Sequence, residues 1–243
     1  MTLFESVVDE YEAGRPGYPA SIFDALEPLE GSLVVEGGAG TGIATRDLLR
    51  RGATVVAVDP GANMLTRAMR TEPRPVAVLA DAARIPMSDC SADLACFAQS
   101  WHWLDPETRV NEMRRVLRVG GRWAGWWNHA RADHEPWFNR YWDTVEATCP
   151  GVSRTLRDHD FVSEIASAAG FGDVDTHRVW WTPHLTIDTW LNEVRSLSYV
   201  SALPADTRNE LVGHLASIAE DRFSDGNMEL IFRTDLSIVQ RVG

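Results

Sequence analysis

Residues Leu33 to Gly42, reading Leu-Val-Val-Glu-Gly-Gly-Ala-Gly-Thr-Gly, constrain this chain more than any other stretch. A short apolar run with β-branched Val34 and Val35 reads as a buried parallel strand, and Glu36 with four glycines ends it abruptly. Ile43, Ala44, Leu48 and Leu49 then recur at helical spacing, so the turn joins the carboxyl end of a strand to the amino end of a helix. Open α/β sheets bind ligands outside those strand ends. Gly38, Gly40 and Gly42 lack Cβ atoms, so the backbone can take φ > 0 and lie directly against a ligand. Glu36 is expected to supply an acceptor at the lip of that crevice.

A dinucleotide site needs glycines at relative positions one, three and six, and each frame fails. From Gly38 the sixth residue is Ile43, from Gly40 it is Thr45, and from Gly37 the third is Ala39. Two further acids close later apolar runs. Thr54 to Val58 reads as a strand ended by Asp59-Pro60, where a ribose would present two hydroxyls to one carboxylate. Val76 to Leu79 reads as another, followed by Ala80-Asp81-Ala82. Asp59 on its own is also a common turn, but Glu36, Asp59 and Asp81 at the same edge of successive strands form a ligand-binding pattern.

The acid-x-Gly-x-Gly-Thr-Gly string resembles the first motif of class I methyltransferases that use S-adenosylmethionine. "DPGANML" at 59–65, Ile85-Pro86 with Ser91-Ala-Asp93, and "EMRRVLRVGGRW" at 112–123 extend the likeness to the methyltransferase type 11 group. The likeness covers about Val7 to Asn128. It departs from the family at Gly37, and at Glu36 where Asp is usual. Tyr11 to Pro19 resembles the Arg-Pro-x-Tyr-Pro element of a small-molecule subgroup that includes relatives of trans-aconitate methyltransferase.

That resemblance implies a Rossmann-like α/β fold, a seven-stranded, mostly parallel, doubly wound sheet with an antiparallel carboxyl-terminal strand and a small helical insertion or cap. It implies S-adenosylmethionine as cofactor, held by Arg15, Glu36, Gly38, Gly40, Thr41, Asp59, Pro60, Met64, Asp81, Ala82 and Gln99. Met64 would press on the adenine, unless it only fills the core. Asp81 would accept the adenine amino hydrogen. Arg15 would pair with the methionine carboxylate, the alternative being a surface Arg packed on the connector.

Gln99 to Trp103, past a strand at Asp93 to Ala98, lie where sulfonium and acceptor should meet. His102 is the candidate catalytic base because imidazole titrates near neutral pH; the alternative is a local hydrogen bond. Tyr18, Trp101, Trp103 and Asn128 are the candidate acceptor contacts, one of the tryptophans alternatively being core. Methyl transfer is an in-line displacement that positioning alone can accelerate, and no residues show metal-ligand spacing. The expected reaction is methylation of a small molecule at oxygen or activated carbon, with a non-catalytic cofactor-binding protein as the alternative.

The rest of the chain fits a single methyltransferase domain over 1–243, with a helical cap at 1–30 and an inserted lid at 129–160. A helix is expected from Pro106 to Val119, capped by Gly120-Gly121, then a strand from Arg122 to Trp127. Trp137, Tyr141, Trp142 and Val145 stand at helical spacing. Helices are expected at Ile187 to Leu203 and Ala205 to Phe223, and a final strand at Met228 to Val239. Net charge is −12 and all 23 basic residues are arginine, a balance that repels phosphate backbones and anionic lipid. Nucleic acid and membrane are therefore not expected partners. Three cysteines without paired spacing, no signal-like start and no apolar run near the ~20 residues of a membrane span point to the cytoplasm.

Overall fold

Alternation along the first strand sorts the core into two layers. Successive side chains of a strand point to opposite faces, and Val34 joins one apolar cluster while Val35 joins another. With Val34, Leu48, Leu94 and Trp126 on one side, and Val35, Val58, Phe97 and Trp123 on the other, the central strands are buried on both faces. That is the environment that continuous Val-rich runs require.

The computed structural model describes residues 7–243, apart from the side chains of residues 156 and 157. Its strands are β1 (Leu33–Gly37), β2 (Thr54–Asp59), β3 (Val76–Leu79), β4 (Ala92–Ala98), β5 (Leu117–Ala130), β6 (Phe171–Trp181), β7 (Leu185–Thr186), β8 (Asn227–Met228) and β9 (Phe232–Arg241). Seven form one sheet in the order β3-β2-β1-β4-β5-β9-β6, and β7 pairs with β8 separately. The sheet is mostly parallel, with β9 antiparallel. Gly37 pairs with Val58, Asp59 with Leu79, and Glu36 with both Ala57 and Cys96, so the carboxyl ends of β1 to β4 emerge along one edge.

The chain divides into two units. The sheet unit comprises Gly17–Asn128, Asp160–Val179 and Thr234–Gly243. The helical unit comprises the described residues up to Pro16, with His129–His159 and Trp180–Arg233. In the helical unit the helices Pro136–Thr148, Ile187–Ser196 and Ala205–Arg222 enclose Trp137, Tyr141, Trp190, Leu211 and Leu215. The short helix Val8–Gly14 lies against Ile187–Ser196 so closely that a Cβ on Gly14 would sit 2.1 Å from the Glu193 nitrogen. Among the described residues no helix is long and apolar enough to cross a membrane.

Three expected boundaries differ. The helix expected at 106–119 spans Arg109–Val116, and β5 starts at Leu117, because Leu117 pairs with Ala92 of β4. Gly120, with φ +84°, then lies inside a register shift that brings Arg122 opposite Leu94. The two glycines thus make a bulge rather than a helix cap. The helix expected at 187–203 breaks at Leu197, whose backbone is extended, into Ile187–Ser196 and Ser198–Ser201. The final strand, expected at 228–239, is divided between β8 and β9.

Candidate active site

The glycine turn is tied down by the end of its neighbouring strand. Gly38 and Ala39 donate their backbone N–H groups to the Val58 carbonyl, at 2.8 and 3.1 Å. Asp59 completes the fastening: one carboxylate oxygen accepts from Gly40 N at 2.9 Å and the other from Gly61 N at 2.7 Å. Gly38 has φ +69°, and a Cβ there would lie 2.5 Å from Ser100 Cβ. Ser100 in turn donates its hydroxyl to the Gly37 carbonyl.

Glu36 does not stand at a crevice lip. It is 1 % exposed and accepts a hydrogen bond from the Thr45 hydroxyl. Desolvation pushes its pKa up to about 8, with the Thr45 bond opposing and the charge of Asp59 adding to the rise. The carboxyl is therefore a neutral buried prop beneath the turn at pH 7. Gly37, the position at which the turn departs from its family, has a steric reason: a Cβ there would lie 2.3 Å from Phe97 Cε1.

Asp81 is exposed beyond β3 and accepts from Ala83 N at 2.8 Å, while Ala82 and Met64 are buried and Pro60 is exposed. Gln99, held at φ +58° past β4, donates its backbone N–H to the Trp126 carbonyl. Trp101 is fully buried, edge-on to Phe97 and Trp123, and so belongs to the core, whereas Trp103 is 56 % exposed. Tyr18 packs edge-on against Phe23 and Trp126, and Asn128 bridges the Gly17 carbonyl and the Thr234 hydroxyl. Arg15 belongs to the helical unit, where its Nε donates to Ser196 Oγ at 3.2 Å and its guanidinium lies over the Tyr11 ring.

His102 is exposed on the single turn Trp101–Trp103, and its ring centroid lies 5.0 Å from those of Trp103 and Phe161. Trp127 stacks on Phe161 and donates its indole N–H to His102 Nδ1 at 3.3 Å. In the neutral imidazole this places the proton on Nε2, so the ring's second nitrogen donates. Sequence reasoning missed Phe161 and Trp127 as members of this aromatic shelf. Trp127 reads as one more strand residue, and Phe161 lies far along the chain in a polar stretch.

Comparison with known proteins follows the same residues. The methyltransferase domain family matches residues 35–124. An uncharacterized methyltransferase of Mycobacterium tuberculosis is 37% identical over 216 residues, covering 88% of this chain and 84% of the relative. The chain belongs to the class I S-adenosylmethionine-dependent methyltransferases. A methyltransferase-like protein of Schizosaccharomyces pombe is 30% identical over 230 residues, covering 90% of this chain and 87% of the relative. The fold is shared with a type II methyltransferase candidate from Anaeromyxobacter dehalogenans, with TM-score 0.71, 21% identity, and coverage of 94% of this chain and 98% of that one.

The turn of this methyltransferase fits its donor. The Thr41 hydroxyl is buried and has no hydrogen-bond partner among the described residues, a costly state that a polar ligand group would relieve. Beside it, Gly38, Gly40 and Gly42 all have positive φ, and the Asp59 carboxylate fastens Gly40 and Gly61.

Proposed function

We propose that the chain methylates a small molecule, at an oxygen or an activated carbon, over the aromatic shelf of His102, Trp103, Trp127 and Phe161. The observation that supports this most is the position of the shelf. It follows the end of β4 in the same unit as the glycine turn, and Ser100, between Gln99 and Trp101, already touches that turn. Asp59 would hold the ribose hydroxyls, Asp81 the adenine amino group, with Met64, Pro60, Ala82 and Gln99 around them, and Thr41 would take a polar atom of the donor.

When bound, S-adenosylmethionine supplies an electrophilic methyl group on a positively charged sulfur. The protein's share is alignment of the acceptor lone pair with that carbon and exclusion of water, worth up to about 10 kcal/mol of barrier. Flat aromatic faces suit an apolar or cationic group, and the His102 Nε2–H suits an acceptor oxygen. Incubation with S-adenosylmethionine and a panel of small phenols, acids and activated methylene compounds should yield a methylated small molecule and demethylated donor in equal amounts. Labelled methyl recovered only in protein would overturn the reading.

Two substitutions separate the roles. Asp59→Ala is expected to weaken donor binding by roughly 1–3 kcal/mol, since it removes hydrogen-bond acceptance at a partly buried site and loosens the turn at Gly40. Calorimetric titration with an unchanged dissociation constant would count against the ribose role. His102→Ala should lower kcat/KM about tenfold, the scale of one lost hydrogen bond, and leave the shape of the pH profile unchanged. A limb of the parent's pH profile that vanishes in the variant would instead make His102 the base.

A further inference from the structure

The helical unit contains a pair of arginines that the methyl-transfer reading does not use. Arg131 follows β5 and donates its backbone N–H to the Ile231 carbonyl at 2.8 Å, which sets it beside Arg233 in β9. Their side chains are only 14% and 13% exposed. Both guanidiniums converge on one atom: Asp158 Oδ1 accepts from Arg131 Nη2 and, at 3.3 Å, from Arg233 Nη2. Asp133 approaches Arg131 Nη1 no closer than 3.6 Å. Among the described residues the buried Arg131 Nε–H has no acceptor.

This is an uneven match. A guanidinium is a planar fork of five donors suited to two parallel bonds with a carboxylate or phosphate, and here one Asp158 oxygen accepts from both Arg131 and Arg233. The two cations are mostly buried, whereas the carboxylate that serves them is 56% exposed. Asp158 ends the turn Arg154–Asp158, which is held at its start by Arg154 to Asp143 and Glu146. The hydrogen bonds from Arg131 and Arg233 hold the Asp158 carboxyl below its ordinary range, so it stays ionised at neutral pH.

We propose that Arg131 and Arg233 form a binding site for an oxyanion, the carboxylate or phosphate group of a small molecule, and that Asp158 occupies this site as an intramolecular stand-in. An incoming dianion would engage both guanidiniums together with the buried Arg131 Nε–H, which has no acceptor among the described residues. Arg131, Asp158 and Arg233 all belong to the helical unit and share no residue with the aromatic shelf or the glycine turn.

The test is calorimetric titration of the full chain with inorganic phosphate and, separately, with succinate, at matched ionic strength. Asp158→Asn should bind one of the two at least tenfold more tightly than the parent, the better probe identifying the group. Adding Arg131→Gln should abolish the gain, while S-adenosylmethionine binding stays at the parental value in both variants. Equal or weaker anion binding by a folded Asp158→Asn chain would overturn the site and make the cluster a structural clasp. Should Asp158→Asn not fold, phenylglyoxal labelling of the parent decides the matter. Protection of Arg131 and Arg233 by 50 mM (about a saturating level for weak anion sites) phosphate or succinate, relative to chloride, is expected, and equal labelling would overturn the site.

Discussion

Gly38→Ala is expected to weaken S-adenosylmethionine binding by about 100-fold, equivalent to about 2.7 kcal/mol, while leaving most of the fold in place. Two costs add. An alanine at φ +69° pays roughly 1–2 kcal/mol for the left-handed backbone. Its methyl would also lie 2.5 Å from Ser100 Cβ, and overpacking of a fixed site costs about 1–3 kcal/mol. The turn can escape only by moving, and moving breaks the bonds that carry Gly38 and Ala39 to Val58 and Gly40 to Asp59. Adding Ser100→Gly should recover part of the loss, because it relieves the contact but not the backbone strain. Gly17→Ala, where a Cβ meets nothing within 4 Å, should bind like the parent. Parental affinity in Gly38→Ala would show that the turn is not the donor's cradle.

The second large effect is on stability against pH. Burial raises the Glu36 carboxyl from 4.5 to about 8 in the folded chain. Below pH 4.5 the group is neutral in both states and its full contribution is present. Above that, the unfolded chain releases a proton that the folded chain keeps. Stability therefore falls by about 1.4 kcal/mol for each pH unit until the folded group ionises near pH 8. Glu36→Gln keeps an oxygen for the Thr45 hydroxyl and has no proton to lose. Chemical denaturation between pH 5 and pH 8.5 should show a decline in the parent that is largely absent in the variant, which becomes the more stable of the two at the alkaline end. Parallel curves would place the Glu36 carboxyl in water.

Local pattern carried much of this architecture. β1 and β3 start and stop where β-branched runs meet acids and turns, and the glycine turn is readable because left-handed backbone and close approach both demand glycine. Position along the chain also brings Asp59 and Asp81 to strand ends, since parallel strands in register end together. The same reading fails at Gly120-Gly121. A glycine pair after an apolar stripe suits a helix cap and a strand bulge equally, and the choice falls to the pairing of Leu117 with Ala92.

What a residue does, as distinct from where its backbone goes, depended on neighbours remote in sequence. Trp101 and Trp103 are one residue apart and chemically alike, yet Phe97 and Trp123 bury the first and leave the second exposed. Glu36 looks like a lip acceptor until the sheet closes over it. Trp127 determines which nitrogen of His102 carries the proton, and Arg131, Arg233 and Asp158 meet only because β5 and β9 are adjacent. Torsional preference and periodicity are properties of a short string of residues, so they can be read along the chain. Desolvation and side-chain hydrogen bonding are properties of whatever surrounds a group in space, and that is known only once the chain has folded.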